Sequence, residues 1–373
     1  MRILLIGFIL FCLFASQITA QVQLSAASYF EYAADQKTDN HYLEDWMHLA
    51  AETDQFKLNV EYQIHLPAQP FSLDTTGQGF YQKRLEYESR YLHVKVGNFY
   101  TLLGSGLTFR AYRNKQLRRD TDINGIYAAF NSKTMEIKAF RGRQRDLTGI
   151  RHGPVTGGEV KFNIRDLNAG ATLLNYRDSF HSGNRWGSVY SGWSGTTADV
   201  YTEYARHRDG GEALYVSGNV MLYGFNVLGE YKNYDRFDIT RGVTFNNPPT
   251  VIKEHEFTLL NRHQHVINAD DEQGWLTELS HPVFGENLLT LTWSKTRNSR
   301  HNNLYQELYA NLNAFILDQY FSQMALGGQE TLSSRLLNAA ASVMAPLCNG
   351  YSLNIVFEHQ HERIKLTDRQ FYS

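Results

Sequence analysis

Apolar and polar residues alternate along most of this chain. In FKLNVEYQIH, residues 56–65, every second residue is apolar and those between are polar. Successive side chains of a strand point to opposite faces, so the stretch predicts a strand with one apolar and one polar face. The alternation recurs in about nineteen segments, which predicts an all-β fold; examples are MEIKAF (135–140), EVKFNI (159–164), YGFNVLGEY (223–231) and YSLNIVFEH (351–359).

The connections between these segments alternate in length. Turns are predicted near residues 53–54, 132–133, 165–168, 194–196 and 222–223, and longer polar connections at 67–83, 142–156, 178–185 and 235–271. Short turns at one end and long loops at the other are typical of outer-membrane barrels, whose strands need about 9–11 residues. We therefore predict a transmembrane antiparallel β-barrel of the bacterial outer membrane, with roughly 18–22 strands when complete. A secreted soluble β-rich protein remains the alternative fold, because its strands alternate in the same way.

Two regions are ambiguous at the level of pattern. The strand count is open by one strand around residues 101–113, and residues 304–326 also fit an amphipathic helix.

The N-terminus predicts export. Residues 1–20, MRILLIGFILFCLFASQITA, have a basic start, an apolar run and a small-residue cleavage site, as in a secretory signal peptide. The barrel is then predicted over residues 21–373, with the long external loop at about 235–271. Cys348 would be the one cysteine of the mature chain, which excludes an intrachain disulfide there. A formal net charge of −2 gives no indication of nucleic-acid binding.

The C-terminus departs from the usual pattern of such barrels. The chain ends RQFYS, just after a polar connection and at the start of a further strand. About nineteen strands and a short remainder also depart from the even strand number of single-chain bacterial barrels. We therefore expect the sequence to be incomplete at its C-terminus.

Two stretches carry a family resemblance. YTLLGSGLTFRAYRNKQLRRDTDINGI (100–126) and the more specific NNPPTVIKEHEFTLLNRHQHVINADDEQGW (246–275) resemble an uncharacterised, Bacteroidota-type family of outer-membrane proteins, a domain of unknown function. The resemblance extends over most of the mature chain. It implies a β-barrel in the outer membrane and assigns no substrate or catalytic residue.

Arginines cluster around two predicted external turns. The first group is Arg110, Arg113, Arg118 and Arg119, and the second is Arg141, Arg143, Arg145 and Arg151. One interpretation is an electropositive mouth that attracts anionic solutes or contacts lipopolysaccharide phosphates, because arginine binds phosphate through two hydrogen bonds. The other is a solvated loop in which neighbouring aspartates neutralise part of the charge. The aspartates belong to DTDING (120–125), which matches the first half of a calcium loop but lacks its terminal glutamate, so we interpret it as a β-turn at Asn124 and Gly125.

The stretch NRHQHVINADDEQGW (261–275) holds metal-ligand residue types: His263, His265, Asp270, Asp271 and Glu272. No third ligand stands at a fixed spacing, so we predict no metal site. Pro248 and Pro249 open the loop, and EFTLL (256–260) is predicted as a short strand within it. We interpret this loop as a lid, or as a loop folded inward, that narrows a pore.

The function that fits these features best is a porin-like channel for small hydrophilic solutes, without cofactors and without enzymatic activity. The alternatives are a barrel-embedded lipid-modifying enzyme and a surface structural or adhesion protein. The expected partners are outer-membrane lipid and lipopolysaccharide, a small hydrophilic solute, and the barrel-assembly machinery.

Overall fold

The computed structural model describes most of the chain after its N-terminal segment. The described residues are 22–35, 40–66, 77–114, 119–146, 149–176, 184–208, 210–237, 249, 251–253, 255–257, 259–261, 270–316, 320–347, 351–365 and 369–372. The predicted signal peptide and Cys348 lie outside them. By its internal contacts the chain divides into two compact units, residues 1–101 with 111–157 and residues 102–110 with 158–373.

The secondary structure is almost entirely β. The strands up to residue 145 are β1 Gln23–Asp35, β2 Asn40–Glu52, β3 Phe56–Leu66, β4 Gln78–Glu88, β5 Leu92–Phe99, β6 Leu102–Leu103, β7 Phe109–Arg110, β8 Arg113–Asn114, β9 Arg119–Asp120, β10 Ile123–Asn131 and β11 Met135–Arg145. Those that follow are β12 Arg151–Ile164, β13 Leu167–Tyr176, β14 Asn184–Ser194, β15 Ala198–His207, β16 Glu212–Leu222, β17 Phe225–Asp235, β18 Asp271–Val283, β19 Asn287–Arg297, β20 Asn303–Ile316, β21 Tyr320–Thr331, β22 Ser334–Pro346, β23 Ser352–Ile364 and β24 Arg369–Tyr372. A 3₁₀ turn covers Leu259–Asn261.

Within each unit, the long strands pair with their neighbours in the chain. In the first unit the antiparallel pairs run from β1 through β5 to β10 and β11. In the second unit they run from β13 to β24. Each unit is therefore an up-and-down antiparallel meander, as the alternation predicts.

The two faces of the strands are inverted relative to those of a soluble protein. On β3, Phe56 and Leu58 are exposed, whereas Glu61 and Gln63 are only 3% and 4% exposed. On β22, Leu337 is 63% exposed while Asn338 on the alternate face is 1% exposed. A soluble sandwich buries its apolar face, so this pattern favours strands whose apolar side meets lipid.

The predicted alternation of short and long connections is present along the chain, with one correction. Short turns join β2 to β3, β10 to β11, β12 to β13, β14 to β15 and β16 to β17, and the longest connection covers residues 236–270. The long connection predicted at 142–156 was wrong: β11 and β12 extend into it and leave only residues 146–150 between them.

Two further predictions about local structure were wrong, and one ambiguous region is resolved. Asn124 and Gly125 are not turn residues but lie in β10, opposite Asn98 and Gly97 of β5. The EFTLL stretch forms no strand in its described residues and ends in the 3₁₀ turn. Residues 304–326 belong to two strands, β20 and β21, and not to a helix.

No helix among the described residues is long and apolar enough to cross a membrane.

Candidate functional site

Three internal segments lie against the polar faces of the strands. They are the 111–122 hairpin in the first unit and, in the second, the Leu102–Arg110 hairpin and the 251–260 segment. Each is held by side chains that the strands present on their buried polar side. We take each segment, with its anchors, as a candidate functional site within its own unit.

The 111–122 hairpin is anchored through Arg113. Its guanidinium donates two hydrogen bonds to the Glu61 carboxylate, at 2.8 and 2.6 Å. It also lies 4.4 Å from the ring centroid of Trp46 and 5.3 Å from that of Tyr81. A bidentate ion pair that is also stacked on aromatic rings fixes both the position and the orientation of the guanidinium.

The same hairpin ends in a fully buried carboxylate, that of Asp122. Arg145 and Arg151 each approach it to 2.8 Å, and the Asn98 amide donates to it at 2.5 Å. A buried carboxylate needs such partners, because losing hydration is costly for an ion. Asp122 therefore ties the end of the hairpin to β5, β11 and β12.

Asp120 lies beside Asp122 in this cluster. Burial raises the pKa of Asp120 above its usual range, and the negative charge of Asp122 raises it further. Arg145 and Arg113 act in the opposite direction. The formal charges balance, since Arg113, Arg145 and Arg151 face Glu61, Asp120 and Asp122. Among its described residues, the cluster is therefore a neutral charge network and not an electropositive patch.

A β-bulge directs Tyr81 into this network. Glu61 pairs with Gln82 and Tyr62 pairs with Phe80, which leaves Tyr81 as the extra residue of β4. A bulge bends the strand and redirects a side chain. The Tyr81 ring lies 3.9 Å from the Arg145 guanidinium.

The Leu102–Arg110 hairpin is anchored by carboxylates that bind its backbone. The amide of Gly104 donates to Glu159 at 3.3 Å, and the amide of Ser105 donates to Glu203 at 2.6 Å. Gly104 has φ of +55°, and a Cβ there would lie 2.4 Å from a Glu203 oxygen, so the turn requires glycine. The hairpin thus approaches the strand wall by its backbone.

Hydroxyl groups complete the coordination of these two carboxylates. Tyr190 donates to Glu159 at 2.5 Å, while Ser188 and Tyr201 donate to Glu203 at 2.6 and 2.7 Å. Glu203 is fully buried, so these hydrogen bonds replace its lost hydration.

The 251–260 segment makes two side-chain contacts with carboxylates of the strands. His255 Nε2 lies 2.7 Å from the buried carboxylate of Glu307, and its ring is 4.1 Å from that of Tyr309. Lys253 donates to Glu278 at 2.5 Å. The segment therefore lies on the polar side of β18 and β20.

Backbone groups of the segment are also satisfied by polar side chains of the strands. The Leu259 amide donates to Glu358 at 2.6 Å, and its carbonyl accepts from Gln360 at 3.0 Å. The Leu260 carbonyl accepts from Gln329 at 3.0 Å.

Two apolar side chains of the segment are buried on the same wall. Phe257 and Leu260 are 5% and 1% exposed and form a cluster with Tyr309, Ala325 and Ala340. The small alanines leave room for them on an otherwise polar face. The inward folding predicted for the whole loop stays a prediction.

The structure separates the arginines within each of the two predicted groups. Arg113 and Arg145 join the neutral network described above, whereas Arg110 is exposed on its hairpin. Arg141 and Arg143 are exposed on the opposite, apolar face of β11, where Arg141 pairs with Ile126. Arg119 is described only in its backbone, which pairs with Asn114, and Arg118 lies outside the described residues.

The predicted loop residues are also separated. His263 and His265 lie outside the described residues. Asp270 accepts a backbone hydrogen bond from Arg236, and Asp271 accepts from the amide and hydroxyl of Ser299 at 2.7 and 2.9 Å.

Glu272, the last of the predicted loop residues, is buried in an ion pair with Lys232. Among the described residues, no group of three or more His, Cys, Asp or Glu side chains is arranged to hold a metal ion.

The sequence did not identify the carboxylate anchors. Alternation places Glu61 and Glu159 on polar faces, and Glu203 and Glu307 share that position on β15 and β20. Arg113 and His255 each lie 52 residues along the chain from the glutamate that they contact, and Ser105 lies 98 residues from Glu203. No local sequence pattern encodes such separations.

Comparisons with known proteins identify the fold. A family of unknown function (DUF6029) matches residues 1–182. No curated protein matches the chain in sequence. Pseudomonas aeruginosa OccK3 (OpdO) is similar with a TM-score of 0.50 at 11% identity, covering 93% of this chain and 95% of that chain.

Two further structures are similar at lower scores. A BenF-like porin from Pseudomonas fluorescens Pf-5 has a TM-score of 0.48 at 9% identity, over 95% of this chain and 96% of that chain. The outer membrane protein opdK from Pseudomonas aeruginosa has a TM-score of 0.47 at 9% identity, over 94% of each chain. With the OccK3 alignment and the antiparallel meanders, the fold is an outer-membrane β-barrel.

Proposed function

We propose that the chain is a porin-like channel that lets small hydrophilic solutes cross the outer membrane. One observation carries the proposal: the strands bury carboxylate, amide and hydroxyl side chains and expose leucine, valine and phenylalanine. In a membrane barrel this arrangement places apolar side chains against lipid and polar side chains around a water-filled passage.

Within its own unit, each internal segment narrows the polar passage. Each lies on the polar side of the strands, where it occupies space that solute would otherwise cross. Each is also fixed by several buried contacts, so the narrowing is a permanent part of the barrel. Selectivity for small solutes follows from this narrowing and from the polar groups that line it.

We further propose how the chain reaches the outer membrane. Residues 1–20 act as a cleaved signal peptide, and the barrel-assembly machinery inserts residues 21–373 into the outer membrane. The protein works without enzymatic activity, as a passive channel. A Bacteroidota-type source fits the family resemblance.

Liposome swelling tests the proposal. Proteoliposomes of the purified barrel are diluted into isotonic solutions of sugars or amino acids of increasing size. We expect rapid swelling with the smallest solutes and a sharp fall as solute size increases. Absence of swelling with every solute, alongside normal swelling with a known porin, would contradict a channel. Hydrolysis of a lipid substrate by the same preparation would favour the enzymatic alternative.

A further inference from the structure

Three arginines are exposed on one face at one end of the second unit. Trp186 of β14 pairs with His207 of β15, and their ring centroids lie 4.8 Å apart on the buried side, with the ring planes tilted by 34°. Side chains alternate, so Arg185 and Arg206 point to the opposite face, as does Arg208 just beyond β15. All three are exposed, and the Arg208 amide donates to the Arg185 carbonyl at 3.0 Å.

This arrangement places like charges side by side. Cross-strand neighbours on one face repel when they carry the same charge. The one facing carboxylate on the next strand is Glu212, opposite Arg206, and it already accepts the Tyr204 hydroxyl at 2.6 Å. Asp235 follows opposite Glu212, and Arg236 is 3.3 Å from it. Among the described residues of this face, Glu212 alone opposes the three arginines, which leaves two positive charges unmatched there.

The surface next to the arginines is apolar. Leu173 and Val189 on the same face are 62% and 60% exposed. Gly187 pairs with Arg206 and with Leu173, and its missing side chain leaves a shallow notch between them. A ligand that fits both parts of this surface has an anionic head and an apolar tail.

The arginines also lie at the end of the strands where the longer connections occur. Residues 177–183 lead into β14 beside Arg185, whereas short turns at 165–166 and 195–197 join the other ends of these strands. In outer-membrane barrels the long loops are on the external side, where phosphate-bearing lipids form the outer leaflet.

We propose that Arg185, Arg206 and Arg208 bind the phosphate group of an outer-membrane lipid whose acyl chains lie along Leu173 and Val189. Guanidinium groups bind phosphate oxygens through paired, charge-assisted hydrogen bonds. Binding removes the repulsion between the arginines and orients the lipid at the edge of the apolar band. The inference rests on the membrane location within the proposed function and does not require conduction.

Binding of lipid A to the full-length protein in detergent tests this inference. The probes are bisphosphorylated lipid A, dephosphorylated lipid A and inorganic phosphate, and complexes are counted by native mass spectrometry. We expect the R185Q/R206Q/R208Q variant to bind lipid A about tenfold more weakly than the unchanged protein, since several charge-assisted hydrogen bonds are lost. The control K133Q/R165Q, which removes two positive charges from short turns, should bind as the unchanged protein does.

Three results would overturn the inference: equal lipid A binding by the triple variant, equal binding of dephosphorylated lipid A, or displacement of lipid A by millimolar inorganic phosphate. Solute passage is measured on the same preparations. We expect it to be unchanged in the triple variant, because these arginines lie on the face away from the polar lining. Lipid binding without any solute passage would contradict the channel and leave the lipid site standing.

Discussion

The 111–122 hairpin and the 251–260 segment both lie on polar strand faces, but different forces hold them. The hairpin is held by three arginines and three carboxylates, with Asp122 fully buried among them. The 251–260 segment is held by the apolar side chains of Phe257 and Leu260, one histidine–carboxylate contact, one lysine–glutamate ion pair and hydrogen bonds to its backbone.

This difference determines how each segment responds to substitution. A neutral network of buried charges is intolerant of single changes, because removing one partner leaves an uncompensated ion. Apolar anchoring depends on buried volume, and it is lost when that volume is lost. We therefore expect substitutions in the hairpin to destabilise the strands that it contacts. We expect the 251–260 segment to be removable without unfolding the strands.

The largest effect should follow from removing the 251–260 segment. Replacing residues 249–261 by a short glycine–serine linker opens the passage, and we expect single-channel conductance to rise about twofold or more. Replacing residues 298–302 in the same way is the control, since Ser299 contacts Asp271 on the other face. Equal conductance in the deletion and the unchanged protein would show that the segment does not narrow the passage.

Truncating the apolar anchors should nearly reproduce the deletion. The F257A/L260A variant loses about 5 kcal/mol of docking free energy, from the usual cost of removing buried side chains. We expect higher conductance and faster proteolysis within the segment. L332A, at a leucine that is 63% exposed, should change neither. A protease-resistant double variant would mean that the polar contacts suffice.

Neutralising Asp122 should destabilise the first unit by a smaller amount. D122N leaves Arg145 and Arg151 without their carboxylate, and breaking a buried pair costs about 3 kcal/mol. Urea unfolding in detergent, followed by tryptophan fluorescence, measures this loss. The D122N/R145Q variant should recover part of it, and a double variant as unstable as the sum of both single variants would argue against direct coupling.

The smallest effect distinguishes two tyrosines of one strand, one bonded to a buried carboxylate and the other to an exposed carboxylate. Tyr201 and Tyr204 of β15 donate to Glu203 and Glu212 at similar distances, 2.7 and 2.6 Å. Y201F removes a hydrogen bond to a fully buried carboxylate, and we expect a loss of about 2 kcal/mol in unfolding free energy. Y204F acts at an exposed pair and should cost less than about 0.5 kcal/mol. Equal losses would contradict the role given to burial.

The sequence predicts the strands of this protein better than the internal segments that lie on their polar faces. Alternation with period two gives the strand faces directly, because the face of a side chain depends on its position in the strand alone. It places Glu61 on the polar side of β3 correctly. The boundaries of β11 and β12 were missed because residues 142–156 are rich in glycine and arginine, which are typical of loops.

The positions of the internal segments and their charged side chains depend on contacts that no local sequence pattern specifies. Arginines form two groups in the sequence, at residues 110–119 and 141–151, yet Arg113 and Arg145 join a charge network while Arg141 and Arg143 face outward. Clustering in sequence indicates charge density and not direction. Arg185, Arg206 and Arg208 show the converse, because strand pairing brings them together from two separate stretches.

Conductance of the unchanged protein in a planar lipid bilayer tests the channel most directly. The inverted faces of the strands predict discrete, stable conductance steps when the purified barrel is added to one side, with a small step size because three internal segments occupy the polar side. A bilayer that stays non-conducting, with folded protein shown to be inserted, would contradict the account.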